Sequence, residues 1–158
     1  MSDYNKEFMD EAVRQSRENV SSGTGGPFGA VIVRDGKLIA EGVNEVTIAN
    51  DASAHAEITA IRAAGRALST FDLSGTEIYA SCEPCPMCLG AIYWARIGAV
   101  HYAADRHDAA NAGFADEFIY REFAAGPALR KIPLNHVLDP DARRPFTLWR
   151  LKEDKTPY

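Results

Sequence analysis

The sequence lacks a long hydrophobic run: no apolar stretch approaches the about 20 residues that a membrane-crossing helix needs, so no membrane partner is expected. It also lacks basic charge. Seventeen Lys and Arg stand against 22 Asp and Glu, the net charge is −5, and Arg143-Arg144 are the only adjacent arginines. A protein whose affinity comes from nucleic-acid phosphates needs a basic patch, so no nucleic-acid partner is expected. Residues 1–10 are polar and acidic and show no secretory pattern, which makes a cytoplasmic setting the expectation. Repeats and low-complexity segments are absent. Cysteine is scarce too: Cys82, Cys85 and Cys88 are the only three. An odd number packed within seven positions cannot build a disulfide framework. In a reducing compartment such a cluster reads as metal binding or as redox chemistry of the Cys85-Pro86-Met87-Cys88 type.

What is present is an ordinary globular composition, 46% hydrophobic and 25% charged, which excludes disorder as the main state. At 158 residues the chain reads as a single domain, 1–158. Apolar spacing predicts a helix over about 3–21, ended by Ser22-Gly23-Thr24-Gly25-Gly26-Pro27. Asp35-Gly36 between two apolar runs predicts a hairpin. A polar loop is expected over 47–53, then a helix over about 54–67 capped by Asp51 or Ser53. Strands are expected over 76–81 and 99–104, with a helix opened by Pro86 between them. A short amphipathic piece over 118–123 and an edge strand over 135–138 follow. The chain closes with a helix from 145, packed through Phe146, Leu148, Trp149 and Leu151, and a polar tail. Strands alternating with helices after a hairpin predict an α/β fold with a mixed sheet.

The chemistry concentrates at two helix starts. His55-Ala56-Glu57 opens one predicted helix and Pro84-Cys85-Pro86-Met87-Cys88 opens another. A Cys-x-x-Cys turn brings two sulfurs onto one metal, and the positive end of a helix favours their thiolate forms. One histidine makes a third ligand and leaves a fourth position for water, the mark of a catalytic zinc site. Glu57, two positions beyond His55, is placed to shuttle protons without binding the metal. Histidine-x-glutamate followed by proline-cysteine-x-x-cysteine is the documented signature of zinc deaminases. Cys82 reads as a small buried residue rather than a ligand.

Around this motif, Gly25-Gly26-Pro27-Phe28-Gly29-Ala30, Asn44, Ser81 to Cys88, Ala91 to Arg96, Ala112-Gly113-Phe114, Phe118-Ile119-Tyr120 and the terminal tyrosine resemble the bacterial guanine deaminases of the cytidine deaminase-like superfamily. The resemblance spans nearly the whole chain. It implies a three-layer α/β/α sandwich around a five-stranded mixed sheet, with zinc at the sheet edge. It implies hydrolysis of guanine to xanthine and ammonia, a step of purine catabolism or salvage. Zinc would be held by His55, Cys85 and Cys88, with Glu57 as the catalytic proton shuttle. Phe28, Asn44, Ala56, Asp116 and Tyr158 would bind the purine base. Residues 145–158 would form a helix and a tail that closes the active site, in a homodimer whose subunits can lend such elements to each other.

Each substrate contact has a plainer reading. Phe28 can be core, Asn44 a turn residue, Asp116 a solvated loop charge and Tyr158 a frayed end. Trp94 reads as packing or interface, and His101, His107 and His136 as structural. Other functions share the motif. A tRNA adenosine deaminase needs an RNA-binding surface that the charge does not favour. Cytosine, isocytosine and guanosine deaminases, and a non-catalytic zinc module with four protein ligands, are the remaining alternatives.

Overall fold

Asp35 and Gly36 both take positive φ, 51° and 68°, the twist that a two-residue hairpin requires. They join β1 (Gly29–Arg34) to β2 (Lys37–Val43), as the sequence predicts. The computed structural model describes residues 4–114 and 116–158. The chain divides into two compact units, Met1–Tyr120 and Arg121–Tyr158.

The first unit holds the sheet, in the order β2-β1-β3-β4, with β3 spanning Thr76–Cys82 and β4 Ala99–Ala104. β1 runs antiparallel to both β2 and β3, while β3 and β4 are parallel, so the sheet is mixed. Alternate β1 residues face opposite layers, which explains its unbroken apolar run. Ala30 and Ile32 share a core with Ile78, Leu73, Ala56, Ala60, Ala64 and Ile92. Those residues bring in α3 (Ala56–Leu68) and α4 (Pro86–Trp94). Val31 and Val33 instead pack with Met9 and Tyr79 under α1 (Lys6–Ser21). Helices thus cover both faces, giving the α/β/α sandwich. Full burial of side chains such as Ile32 and Ile78 contributes roughly 1.5–3 kcal/mol each.

The sheet has four strands among the described residues, not the five expected. Residues 135–138, the expected edge strand, form irregular chain, with Val137 and Leu138 exposed. They lie in the second unit, which offers no strand to pair with among its described residues. Smaller departures follow from local chemistry. A one-turn helix α2 (Val46–Ala49) occupies part of the expected 47–53 loop. Asp51 does not cap α3; its carboxylate accepts from the Ser53 N–H and hydroxyl, so the two expected caps satisfy each other in a turn. The N-cap is His55.

Backbones come unusually close at Gly42 on β2. A Cβ there would sit 2.3 Å from the Ala56 carbonyl oxygen and 2.4 Å from the Ala60 nitrogen. Only glycine lets the first turn of α3 lie directly on the sheet, and that turn carries His55 and Glu57.

In the second unit, α7 spans Arg144–Leu151. Phe146, Leu148, Trp149 and Leu151, expected to be packed, are exposed, and Trp149 meets the Tyr158 ring edge-on at 6.4 Å. Lys155 Nζ donates to the Arg150 and Lys152 carbonyls at 2.9 and 3.1 Å, closing the C-terminal end of α7. α5 (Arg106–Asn111) and α6 (Glu117–Ala124) complete the helices. No helix among the described residues is long and apolar enough to cross a membrane.

Candidate active site

The N-cap residue of α3 is His55 and that of α4 is Cys85, and neither side chain caps its helix. Both point instead to a common centre. His55 Nδ1 lies 3.6 Å from Cys85 Sγ and 3.5 Å from Cys88 Sγ, and the two sulfurs are 3.6 Å apart. With Zn–S of about 2.3 Å and Zn–N of about 2.0–2.1 Å, one face of a tetrahedron has edges of about 3.5–3.8 Å. The three donors therefore fit one tetrahedral zinc ion with its fourth corner open. They form the donor group able to hold a metal among the described residues. Cys82 is not part of it. Its buried Sγ donates to the Asp105 carbonyl at 3.5 Å, and burial pushes its thiol up to about 11. That is the structural role the sequence suggests.

The electrostatics suit a metal. The Cys85 thiol is held down at about 4, chiefly by its hydrogen bond with Cys88 and with help from His55. Cys88 is pushed up by its hydrogen bond with Cys85 and by burial. The Cys85 sulfur beside it raises the His55 imidazole. Glu57, in the first turn of α3, is buried, and that burial pushes its carboxyl up to about 7. A carboxyl poised near neutrality can take a proton and return it. A cation on the neighbouring donors would draw it back down.

These groups line a cavity of about 600 Å³, ordinary for a small-molecule site. Its wall brings together His55, Cys85 and Glu57 with three further residues singled out from the sequence, Phe28, Asn44 and Asp116. Phe28 meets Phe114 edge-to-face at 4.9 Å. The Asn44 Oδ1 accepts from the Val46 N–H at 3.3 Å, which turns its Nδ2 into the group left to donate. The buried Oδ1 of Asp116 has no hydrogen-bond partner among the described residues, and burial raises its carboxyl pKa. Ala56 differs from these: its methyl is in the core. Tyr158 lies in the second unit, against Trp149.

Sequence reasoning missed several contributors. Asn19, buried on α1, donates through Nδ2 to the Gly26 carbonyl at 2.8 Å and the Asn44 carbonyl at 2.9 Å, pinning the glycine loop to the floor. Gly25 must be glycine there, since a Cβ would lie 2.0 Å from the Asn44 carbonyl oxygen. Phe114 stood inside a recognised segment but carried no titratable group to draw notice. Glu83 also lines the wall, its carboxyl held below the usual range by the Arg106 guanidinium.

Residues 2–104 match the family described as the cytidine and deoxycytidylate deaminase zinc-binding region. The chain is 53% identical to guanine deaminase from Bacillus subtilis over 151 residues, covering 96% of this chain and 97% of that one. A solved guanine deaminase from Bacillus subtilis superposes with a TM-score of 0.95, 51% identity and 99% coverage of both chains. A more distant structure, solved in complex with 8-azaguanine, gives a TM-score of 0.66 at 35% identity and covers 69% of this chain and 63% of its own. A tRNA-specific adenosine deaminase from Agrobacterium fabrum is 47% identical over 78 residues, but these are 49% of this chain and 51% of that one.

The donor assignment has a direct consequence. Cys85→Ser is expected to abolish stoichiometric zinc binding, and Cys82→Ser to retain it, as measured by metal analysis of the purified proteins. Equal zinc loss in both variants would place Cys82 among the ligands.

Proposed function

The chain belongs to the cytidine and deoxycytidylate deaminase zinc-binding family, and from that premise we propose that it hydrolyses guanine to xanthine and ammonia. The observation that carries this reading is the near-complete match to guanine deaminase combined with a His55-Cys85-Cys88 centre beside Glu57, on a cavity large enough to admit a purine. The tRNA deaminases compared by sequence match over 49–69% of this chain, against 96% for guanine deaminase.

When bound, zinc supplies the Lewis acidity that makes water a nucleophile near neutral pH. The remaining work falls to the chain's own residues. Glu57 takes the proton of the attacking water as its oxygen bonds to guanine C2, and hands that proton to N3. The resulting tetrahedral adduct collapses when Glu57 carries its hydroxyl proton to the amino group. The C2–N bond then breaks and ammonia leaves. Burial of Glu57 keeps the shuttle within one site and away from bulk water.

Phe28 and Phe114 offer apolar surface to the purine faces. Asn44 Nδ2 donates to a ring acceptor. The Ala56 N–H, at a helix start with no capping side chain, is a second donor. Asp116 accepts from the N–H groups of guanine, which satisfies its orphaned oxygen. The tail completes the site as a lid: Tyr158 can bury its ring against a base while its hydroxyl bonds to it. We place this lid in a homodimer, a reading supported by the exposed apolar side chains Phe146, Leu148 and Leu151 on α7. A cytoplasmic setting accords with a Cys85–Cys88 pair that must stay reduced to bind zinc.

Three measurements test these statements. In an ammonia-release panel, the zinc-loaded protein is expected to turn over guanine in preference to adenine, cytosine, guanosine and adenosine in a tRNA hairpin; rapid turnover of another member with guanine inert would overturn the assignment. Glu57→Gln is expected to keep zinc and lose at least about 10²–10⁴-fold in kcat, because the amide cannot accept the water's proton. Deletion of residues 155–158 is expected to leave folding and zinc content intact and to lower guanine turnover markedly. Full turnover by the truncated chain would remove Tyr158 from the site.

A further inference from the structure

β3 ends at Cys82, so residues 83–85 leave the hydrogen-bond ladder just before the first cysteine ligand. What holds this short segment is a closed ring of contacts. The Glu83 N–H donates to the Ala104 carbonyl at 2.9 Å. The Glu83 carboxylate accepts from the Arg106 N–H at 3.1 Å and from its Nε at 3.0 Å through one oxygen, and from a terminal guanidinium nitrogen through the other. The same guanidinium lies 4.0 Å over the ring of Tyr120. The Tyr120 hydroxyl donates to the Pro84 carbonyl at 2.9 Å. Pro84 is bonded directly to Cys85.

The ring also reaches the opposite wall of the cavity. Tyr120 lies on α6, and Asp116 lies one helical turn before it. The Ile119 N–H donates to the Asp116 carbonyl, and the Asp116 N–H to the Phe114 carbonyl. Phe114 and Asp116 are therefore tied through Tyr120 to the loop that carries Cys85. Neither Arg106 nor Tyr120 lines the cavity. They hold groups that do.

We propose that Arg106 and Tyr120 are positioning residues that lock the Glu83–Cys85 metal loop and the residues Phe114 and Asp116 into one frame, so that retention of zinc and grip on the purine depend on the same bracket. A planar guanidinium is needed because it must present a two-pronged edge to Glu83 and a flat face to Tyr120 at once. Lysine could do neither together. The proposal rests on the zinc and guanine reading given above, but its metal arm needs no substrate, so the two can fail separately.

The test uses full-length, zinc-loaded protein with Arg106→Gln, Arg106→Lys and Tyr120→Phe. Tyr120→Phe keeps the ring under Arg106 and deletes only the bond to Pro84. Two quantities are read: the rate of zinc loss to an excess of chelator, and KM and kcat for guanine. Groups that orient metal ligands typically change metal affinity by about 10–100-fold when removed. Arg106→Gln is expected to lose zinc at least several-fold faster and to raise KM by more than it lowers kcat. Arg106→Lys should behave like Arg106→Gln rather than like the parent, and Tyr120→Phe should shift both quantities in the same direction by less. Circular dichroism establishes that each variant is folded; if an Arg106 variant is not, Tyr120→Phe decides alone. Folded Tyr120→Phe with parental zinc loss and parental KM overturns the proposal. So does a variant that changes one quantity and leaves the other untouched, since the two walls would then be held independently.

Discussion

The arrangement depends on two N-cap positions being given to metal donors. An N-cap side chain normally accepts from a first-turn N–H, and losing that bond costs about 0.5–2 kcal/mol. His55 and Cys85 have the extended backbone of cap residues but make no such bond. Each helix start is left with its donors uncapped by a side chain and its partial positive charge undiminished. Both starts converge on one point, where that charge favours thiolates and a buried carboxylate. Zinc binding free energies of about 10 kcal/mol or more in small structural sites far exceed two missing caps. The helices thus surrender local stability for a shared centre that a metal can restore.

Convergence of that kind requires the helices to be placed within a fraction of an ångström, and the sequence spends its smallest residues there. Gly42 lets α3 sit with its Ala56 and Ala60 backbone directly on β2. Ala56, Ala60 and Ala64 repeat at every fourth position along the same helix face and keep it close to the sheet. Any added methylene would lift the turn that bears His55 and Glu57. Overpacking at such contacts costs typically about 1–3 kcal/mol, but the geometric effect on the donors would be felt sooner. Gly25 plays the matching part on the cavity floor, where Asn19 ties two backbone carbonyls that belong to different segments.

What could be read from residues alone follows the range of the interactions involved. The Asp35-Gly36 hairpin, the Pro86 helix start and the alternation of β1 are local, and their physics is contained within a few residues. The metal donors were legible because their chemistry is rare and their spacing is fixed. The cap of α3 was misassigned because Asp51 and Ser53 are better cap formers than histidine; only the three-dimensional meeting with Cys85 and Cys88 explains why His55 takes that place. The expected fifth strand at 135–138 failed for a related reason. Its composition is compatible with a strand, but a strand exists only where an edge accepts it, and that information is not local. Phe114, Arg106 and Tyr120 were invisible as contributors because aromatic and arginine side chains are common and their roles here are set by partners 23 to 86 positions away.

If the proposed substrate contacts hold, the polar groups around the cavity also constrain which base can be held. Asn44 has its carbonyl oxygen engaged by the Val46 N–H, so it faces a ligand as a donor. Asp116, when ionised, can only accept. A base that satisfies both must present an acceptor on one side and N–H donors on another. Guanine does so, with a ring carbonyl and ring nitrogens to accept and N1–H and the 2-amino group to donate. Adenine carries an unprotonated N1 and no amino group at C2, so a carboxylate facing that edge would remain unpaired. Leaving a buried polar group unpaired costs more than the net gain from pairing it, so the penalty for the wrong base exceeds the reward for the right one. On the proposed reading, selectivity would arise from the groups left stranded, and Asp116, whose buried oxygen has no partner among the described residues, is the one with most to lose.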